Sequence, residues 1–309
     1  MKQNIVVLGS TGQVGRAITK ELDSFFKVIT INRENTPFER RNVLRANIRD
    51  ILYTETPSHI INAAAFTNVD GSEENSELAF LINAFALQDI VDEINLYNLT
   101  KKRKTSLIHF STDYVFDGES IEENFPTDKT NPINIYGKSK ALGETIIKKS
   151  EVPYLILRTS WVISPFRKNF LKTIVKKIIK GLPIEVVDDQ YGAPTSARYI
   201  ASFINHYLRD EKFSTIGGLH HICGLGNTTW FDFAQFILEN LKNNKPELVK
   251  KRMDIKPIKT SSLKLVAKRP KNSKLNCDSL STIFKFEQID WQTQVLNTLN
   301  TMITEEHLD

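Results

Sequence analysis

The chain alternates short apolar runs with longer segments whose apolar residues recur at helical spacing. Runs rich in β-branched residues occupy positions 5–8, 27–31, 59–65 and 106–110, and helix-like segments occupy 16–22 and 73–86. Such short runs are typical of strands buried on both faces of a parallel sheet. We expect a further strand just before Asn47 and Ile48. The pattern predicts an α/β fold built on a doubly wound, mostly parallel sheet.

The second half of the chain predicts a smaller, mixed α/β unit. We expect helices at 169–180, 196–208, 230–241 and 291–304, strands at 184–187 and 220–223, and a surface charge cluster at 250–252. One domain is therefore predicted over residues 1–161 and a second over 162–309, with a segment of about 190–225 returning to the first. The helix at 169–180 has a lysine-rich face, which we interpret as solvated and not as a membrane contact.

Composition narrows the class of protein. The 309 residues are 40% hydrophobic and 25% charged, which is typical of a globular chain with a sizeable core. The net charge of +5 is spread along the sequence, which favours a phosphate-bearing ligand and not nucleic acid. Cys223 and Cys277 are far apart and lack metal-ligand neighbours, so we expect no disulfide framework and no metal site. With no signal peptide or apolar run long enough to span a bilayer, a cytoplasmic location is expected.

Glycines follow the first predicted strand at a regular spacing. Gly9, Gly12 and Gly15 form a Gly-x-x-Gly-x-x-Gly turn between that strand and a helix. Such a turn lets the backbone approach a pyrophosphate and directs a helix N-terminus at it. The strand before and the helix after the turn predict a dinucleotide site and make the parallel sheet a Rossmann-type fold.

The end of the second strand indicates which dinucleotide binds. Many NAD sites place a carboxylate there to hold the ribose 2′-hydroxyl, whereas an arginine suits a 2′-phosphate. Here Asn32 and Arg33 stand at this point, and no acid does. We therefore predict NADPH, with NADH as the alternative. Asn47 and Ile48 are expected near the adenine.

Tyr136 and Lys140 are candidate chemical groups. Residues four apart share a helix face, so a helix that opens here would bring the ammonium beside the phenol and favour the phenolate. We expect Lys140 to lower the pKa of Tyr136 and make it a proton donor. Thr112 follows the strand at 106–110 and is predicted to hydrogen-bond the oxygen that Tyr136 protonates.

Together with longer sequence blocks, these motifs resemble the dTDP-4-dehydrorhamnose reductases, a family of extended short-chain dehydrogenase/reductases. The resemblance runs nearly from end to end. Its blocks are residues 62–65 with Thr67, Val69 and Asp70, 111–118, 134–140 with Gly143 and Glu144, 157–162, 189–195, 228–230, and Arg269 and Pro270 with Asn272, Ser273 and Leu275.

The resemblance implies an activity and a set of site residues. The C4 ketone of dTDP-4-dehydro-L-rhamnose would be reduced to dTDP-L-rhamnose, a precursor of cell-surface polysaccharide, by the catalytic group Thr112, Tyr136 and Lys140. The first domain would bind the cofactor and the second mainly the substrate. The cofactor contacts implied by the resemblance are Gly9, Thr11, Gly12, Gln13, Val14, Gly15, Ala63, Ala64, Ala65 and Thr159. The expectations from the residues themselves add Asn32, Arg33, Asn47, Ile48, Tyr136 and Lys140. The implied substrate contacts are Thr112, Asp113, Tyr114, Trp161, Asn169 and Arg269.

Departures from the family pattern leave alternatives open. Some relatives carry a glutamate after the glycine turn that holds Mg²⁺ at a dimer contact; Ala17 stands there in this chain, which argues against a metal-linked dimer. A monomer and a homodimer both fit. Dehydratases of this fold place an acidic pair after the threonine, whereas Tyr114 follows Asp113 here, which favours plain reduction. A talose-forming 4-ketoreductase would use the same groups. A non-catalytic subunit like the methionine adenosyltransferase β subunit would keep much of the same motif set.

Overall fold

A six-stranded parallel sheet organises the first lobe in the computed structural model, which describes residues 2–250 and 253–304. Two positions of the predicted charge cluster, Lys251 and Arg252, lie outside the described residues. The strands of the chain are β1 Asn4–Leu8, β2 Lys27–Ile31, β3 His59–Asn62, β4 Ser106–Thr112, β5 Tyr154–Thr159, β6 Val162–Ile163, β7 Ile184–Val187, β8 Tyr191–Gly192, β9 Thr195–Ser196, β10 Gly218–His221, β11 Thr228–Thr229 and β12 Ile255–Ile258.

Helices cover both faces of this sheet and build the second lobe. They are α1 Gln13–Leu22, α2 Arg41–Glu55, α3 Val69–Glu74, α4 Ser76–Phe80, α5 Ala86–Lys101, α6 Ile135–Lys148, α7 Phe170–Lys180, α8 Ala197–Arg209, α9 Glu211–Ser214, α10 Trp230–Asn244, α11 Asp278–Thr282 and α12 Trp291–Thr304. A π-helical turn, Leu81–Phe85, joins α4 to α5, and short 3₁₀ turns lie at Asp113–Val115, Pro246–Leu248 and Thr260–Ser262.

The strand order places a crevice at the end of β1. The order is β10-β5-β4-β3-β1-β2, and every neighbouring pair is parallel. The chain leaves β1 on one side for β2 and returns on the other for β3, so the connections diverge at the carboxyl ends of β1 and β3, where such sheets bind ligands. The predicted doubly wound, Rossmann-type α/β fold is confirmed.

Alternating side chains of the strands divide the core of this lobe in two. Ile5 and Val7 pack on one face with α1 and α8, whereas Val6 and Leu8 pack on the other with α2 and α5. Because successive strand residues point to opposite faces, a strand buried on both sides reads as a continuous apolar run. This is why the strand positions could be predicted from the sequence.

The predicted third strand before Asn47 is wrong. Residues 41–55 form helix α2, and Leu44, Ile48 and Leu52 recur every four positions on its buried face. Arg45 of the same helix forms ion pairs with Asp89 and Glu93 of α5. Apolar residues at a spacing of four on one side, with arginines on the other, are the helical pattern.

The second lobe packs around aromatic and aliphatic side chains of α7, α10 and α12. Trp161 and Trp230 stack with ring centroids 3.6 Å apart and planes at 11°. Trp291 packs edge-on against Phe233 in the same cluster.

Cys223 and Cys277 are buried free thiols whose sulfur atoms lie 3.3 Å apart. Within the described residues, no helix combines the length and apolar character that crossing a bilayer requires.

A buried ion pair joins α6 to the sheet. Arg158 of β5 donates through Nε to Glu144 Oε1 at 2.8 Å and through Nη2 to Oε2 at 2.7 Å. Ser111 of β4 donates to the same carboxylate at 2.6 Å. The two charged side chains are only 1% and 2% exposed, so removing Glu144 leaves a buried guanidinium without its carboxylate, and removing Arg158 leaves the buried carboxylate with only the partly exposed Lys148 as a cationic partner.

We therefore expect Arg158→Met to lower the free energy of unfolding by about 3–5 kcal/mol, measured by urea denaturation. Lys27→Met is the matched control, because the Lys27–Glu55 pair is exposed and should contribute about 1 kcal/mol or less. The double variant Arg158→Met/Glu144→Leu should recover part of the loss. Equal unfolding midpoints for Arg158→Met and Lys27→Met would show that the buried pair does not hold α6.

Candidate active site

Helix α6 begins where it can place a phenol beside the end of β4. Asn134 caps it by accepting a hydrogen bond from the Gly137 N–H at 2.8 Å, and its Nδ2 donates to the Lys268 carbonyl at 2.8 Å. A Cβ at Gly137 would collide with the carbonyl oxygen of Tyr114. Glycine at this position therefore lets the first turn of α6 lie directly on the turn that follows β4.

Thr112 and Tyr136 meet at this contact. The Thr112 hydroxyl donates to Asp113 Oδ1 at 2.9 Å and accepts from the Tyr114 N–H at 3.2 Å. It also lies close enough to Tyr136 to lower the pKa of that phenol, and the Tyr136 ring lies edge-on to Tyr114 with centroids 5.7 Å apart. The structure thus brings together two of the three residues predicted as the catalytic group.

Lys140, the third, points elsewhere. Its Nζ donates to the Phe110 carbonyl at 2.6 Å and lies 3.1 Å from His109 Nε2. Burial lowers the pKa of Lys140 to about 8, although the Glu144 carboxylate opposes the shift.

The prediction that Lys140 lowers the pKa of Tyr136 is wrong. Burial raises the pKa of Tyr136, with only the Thr112 hydrogen bond opposing it and Asp113 adding to it. Sharing a helix face with Tyr136 did not bring the Lys140 Nζ to the phenol, because Nζ binds the Phe110 carbonyl and lies beside His109, both on β4. Tyr136 is therefore a protonated phenol at neutral pH.

A buried carboxyl lies next to this pair. Burial raises the pKa of Asp113 to about 6, while hydrogen bonds from Ser273 and Thr112 act in the opposite direction. Tyr114 also has a raised pKa because it is buried. With a pKa of about 6, Asp113 is still mainly ionised at neutral pH, so a buried carboxylate lies beside Thr112 and Tyr136, whereas Tyr114 is neutral.

The glycine turn forms the second part of the site. Gly9 has φ +77°, and a Cβ there would lie 2.6 Å from the Ala64 nitrogen, so β1 and the end of β3 approach each other too closely for a side chain. Gly12 stands at the N-cap of α1, and no side chain caps the helix. The first N–H groups of α1, from Gln13 and its successors, are thereby left for a ligand.

A cavity of about 200 Å³ opens beside this turn. It is lined by predicted cofactor residues, Gly9, Thr11, Gly12, Arg33 and Ala63–Ala65, and by side chains that sequence reasoning missed: Phe38, Glu39, Phe66 and Ile82. Arg33 forms an ion pair with Glu39 at the rim. The end of β2 carries no acid, but Glu39, six residues after Arg33, places one at the cavity rim. A search for an acid at the strand end would not have located it.

Asn32, Asn47 and Ile48 do not line this cavity. Asn32 Oδ1 accepts from the Glu34 and Asn35 N–H groups, and Asn47 Nδ2 donates to Thr36 Oγ1 at 2.8 Å, so both amides hold the loop after β2. Ile48 lies on the buried face of α2 and is fully enclosed in the core. The expectation that residues 47 and 48 follow a strand is wrong for the reason given for α2, and their position near the adenine stays a prediction.

Other predicted contacts lie at the junction of the lobes. Gln13 Oε1 accepts from Ser164 Oγ at 2.8 Å and from Asn169 Nδ2 at 2.9 Å, and Asn169 Oδ1 caps α7. Arg269 pairs with Asp70 at 2.7 Å, close enough to Tyr114 to act on its pKa. Asn169 is therefore engaged with the glycine-turn side of the molecule, and Arg269 with the tyrosine side.

Polar residues that support the site were also missed. Asn83, in the π-helical turn, accepts from the Phe66 N–H at 2.8 Å and donates to Ser139 Oγ of α6 at 2.9 Å. His109 and Ser111 lie two apart on β4 and both contact α6. Polar side chains at a spacing of two in an otherwise apolar strand are a usable signal, since they share one face and need partners there.

Comparison with known proteins agrees with this geometry. The family model described as RmlD substrate binding domain matches residues 1–304. The chain is 32% identical over 302 residues to a dTDP-4-dehydrorhamnose reductase of Escherichia coli K12, covering 97% of this chain and 98% of that protein. It is 33% identical over 296 residues to one of Burkholderia thailandensis, covering 94% and 96%.

Solved structures give the same result. The dTDP-4-dehydrorhamnose reductase of Bacillus anthracis in complex with NADP superposes with a TM-score of 0.86 at 28% identity, covering 97% of this chain and 100% of that one. A Thermus thermophilus UDP-glucose 4-epimerase in complex with NAD, at 17% identity and TM-score 0.78, shares the fold. The sheet, the glycine turn and the tyrosine helix define a Rossmann-type member of the short-chain dehydrogenase/reductase class. Within that class, the chain belongs to the dTDP-4-dehydrorhamnose reductase family.

The glycine turn provides the first test of the site. We expect Gly9→Ala to raise the Kd for NADPH at least about tenfold, because an alanine at φ +77° would displace Ala64 from the cavity wall. Gly226→Ala is the matched control: Gly226 also has a positive φ of 94°, but its Cβ would meet only Trp291 at 3.4 Å. Fluorescence titration with NADPH measures both, and a similar loss of affinity in the two variants would contradict a specific role for the turn.

Proposed function

We propose that this protein reduces the C4 ketone of dTDP-4-dehydro-L-rhamnose to dTDP-L-rhamnose with NADPH. The observation that carries the proposal is the placement of Tyr136 close enough to the Thr112 hydroxyl for that hydroxyl to act on its pKa, at the end of the sheet where such folds bind ligands. Relatives of almost the same length, matched over nearly the whole chain, bear the name of this reaction. The product is an activated sugar of the kind used for cell-surface polysaccharides.

The residues present fit a bound dinucleotide. A turn without side chains at Gly9, Gly12 and Gly15 would accept the pyrophosphate, and a relative was solved in complex with NADP. Thr159 Oγ1 is buried and has no hydrogen-bond partner within the described residues, as expected of a group reserved for a ligand. When bound, NADPH supplies the hydride.

Tyr136 supplies the proton of the reduction. Its raised pKa keeps the phenol protonated at neutral pH, so the proton is available as negative charge develops on the C4 oxygen. Thr112, which accepts from the Tyr114 N–H, would donate a second hydrogen bond to that oxygen once its hydroxyl turns from Asp113 Oδ1. Transfer of this proton completes the alcohol and leaves a phenolate, which Lys140 on the next turn of α6 would reach only by leaving the Phe110 carbonyl and His109.

We propose that the cofactor and substrate lobes divide near residue 161. Helix α8, strand β10 and the segment around α11 would count with the cofactor lobe, because they pack on α1 and the main sheet. Trp161, Asp113, Tyr114 and Arg269 would then line the sugar-nucleotide pocket between the lobes. We assign Asn169 to positioning of Gln13 at this junction, in addition to the nucleotide contact implied by the resemblance.

The first test compares the wild-type protein with Tyr136→Phe. We expect kcat for NADPH oxidation with dTDP-4-dehydro-L-rhamnose to fall by about 10²–10⁴, with NADPH affinity retained, because only the proton donor is lost. Tyr97→Phe is the control and should keep full activity, because Tyr97 is a buried residue of α5 that packs in the core with α2. NMR of the product distinguishes a rhamnose from a talose. Cofactor binding without turnover in the wild-type protein would overturn the reductase assignment and favour a regulatory subunit.

The cofactor preference is tested at the rim of the cavity. We expect Arg33→Met to reduce the ratio of kcat/KM for NADPH over NADH by about tenfold, because a 2′-phosphate loses its cationic partner. Glu39→Gln should raise the ratio by releasing Arg33 from its ion pair and removing a like charge near the phosphate. Arg40→Met is the control, since the exposed Arg40 lies outside the cavity lining. An unchanged ratio in Arg33→Met would exclude this residue from cofactor selection.

A further inference from the structure

A chain of buried polar groups connects the cofactor segment to Lys140. Asn62 of β3 accepts from the Ala64 N–H through Oδ1 at 3.1 Å, and its Nδ2 lies 3.2 Å from His109 Nδ1. His109 Nε2 lies 3.1 Å from Lys140 Nζ, which also donates to the Phe110 carbonyl. Asn62, His109 and Lys140 are each at most 3% exposed, so bulk water cannot substitute for a mismatched partner.

The direction of hydrogen bonding in this chain is set at its first member. A backbone N–H can only donate, so Ala64 fixes Oδ1 of Asn62 as an acceptor and turns Nδ2 toward His109. His109 Nδ1 must then accept, which places the ring proton on Nε2. That N–H faces Lys140, so the lysine satisfies it only as a neutral amine that accepts from His109 and donates to Phe110. If Lys140 were protonated, its ammonium and the His109 Nε2–H would face each other as two donors, in a buried site without water to accept from them.

We propose that His109 is a positioning residue that donates from Nε2 to Lys140 and favours its neutral amine, so that cofactor binding is coupled to uptake of one proton by Lys140. The coupling is direct because both ends of the chain, Ala64 and Lys140, are predicted cofactor contacts. When an anionic dinucleotide contacts the Lys140 Nζ, the amine takes a proton from solvent. It then no longer accepts the hydrogen bond from His109 Nε2.

The charged groups around the lysine leave room for this switch. Glu144, on its own helix, favours the ammonium, but that carboxylate is already paired with Arg158 and Lys148. Tyr136, one turn earlier, is a neutral phenol, and His109 is the group facing Lys140 from β4. Burial lowers the pKa of His109 well below its ordinary value, so the ring stays neutral. Burial also brings the pKa of Lys140 to about 8, so both forms of the lysine are accessible near neutral pH.

The tautomer is tested first, without cofactor and without activity. Long-range ¹H–¹⁵N spectra of the ¹⁵N-labelled wild-type protein distinguish a ring protonated at Nε2 from one protonated at Nδ1 or at both nitrogens. The His109 signals are assigned by their loss in His109→Phe. We expect the Nε2–H tautomer at pH 8.5, where the free lysine is neutral. A ring protonated at Nδ1, or an imidazolium, would overturn the proposal.

The coupling is tested by calorimetry of NADPH binding in buffers of different ionisation enthalpy. We expect proton uptake in the wild-type protein to rise from near zero at pH 6.5 toward one proton above pH 8, where the free lysine is neutral. In His109→Phe, the amine no longer has to accept a hydrogen bond, so uptake at pH 8 should fall by at least about half. His59→Phe is the matched control, since His59 is buried at the opposite end of β3 and bonded only to Ser106 among the described residues.

The inference rests on the proposed function through its choice of NADPH, and the two can fail separately. Equal proton uptake in wild type and His109→Phe would overturn the role of His109 while leaving the reductase intact. Absence of NADPH binding would refute the proposed cofactor, and the tautomer measurement would still decide the arrangement of the buried chain.

Discussion

The carboxylate of Glu144 is the group on which the site geometry depends. It projects from α6 and accepts hydrogen bonds from Ser111 of β4 and Arg158 of β5, two side chains that face each other in adjacent strands. Arginine holds the pKa of Glu144 below its usual range in spite of burial, so the pair stays charged. Gly143 lets the helix approach the π-helical turn at Asn83, where a Cβ would collide with backbone. Glu144 thereby fixes α6 to the sheet, and the close approach at Gly143 fixes it to the π-helical turn. Together these two contacts place Tyr136 at Thr112.

Local spacing predicted most of this arrangement. The glycine turn and the strand-end residues could be located from the sequence because each depends on residues within one strand–turn–helix unit. The helix α2 was missed although Leu44, Ile48 and Leu52 carry its period, because a strand was expected there. The orientation of Lys140 could not be predicted, since it depends on the His109 ring and the Phe110 carbonyl, both contributed by β4. The Arg33–Glu39 pair likewise depends on how the loop after β2 folds back.

Side-chain amides do much of the joining between the two lobes. Gln13, in the first turn of α1, is held by Ser164 and Asn169, and Arg167 donates to the Thr11 carbonyl at 2.9 Å. The segment that enters the second lobe is therefore bonded directly to the glycine turn. A change in the position of either lobe is transmitted through these bonds, because Gln13 Oε1 accepts two of them and Asn169 has both its amide donor and its amide acceptor engaged.

The placement of the tryptophans lets spectroscopy distinguish the two lobes. All three tryptophans of the chain, Trp161, Trp230 and Trp291, belong to the aromatic cluster of the second lobe. Indole emission therefore originates in that lobe, while the six-stranded sheet contributes tyrosine alone. The stacked rings of Trp161 and Trp230 lie close enough to couple electronically, so a ligand that separates them would change the shape of the near-ultraviolet circular dichroism spectrum. The protein thus carries its own reporter for changes in the second lobe, distinct from the fluorescence of the nicotinamide.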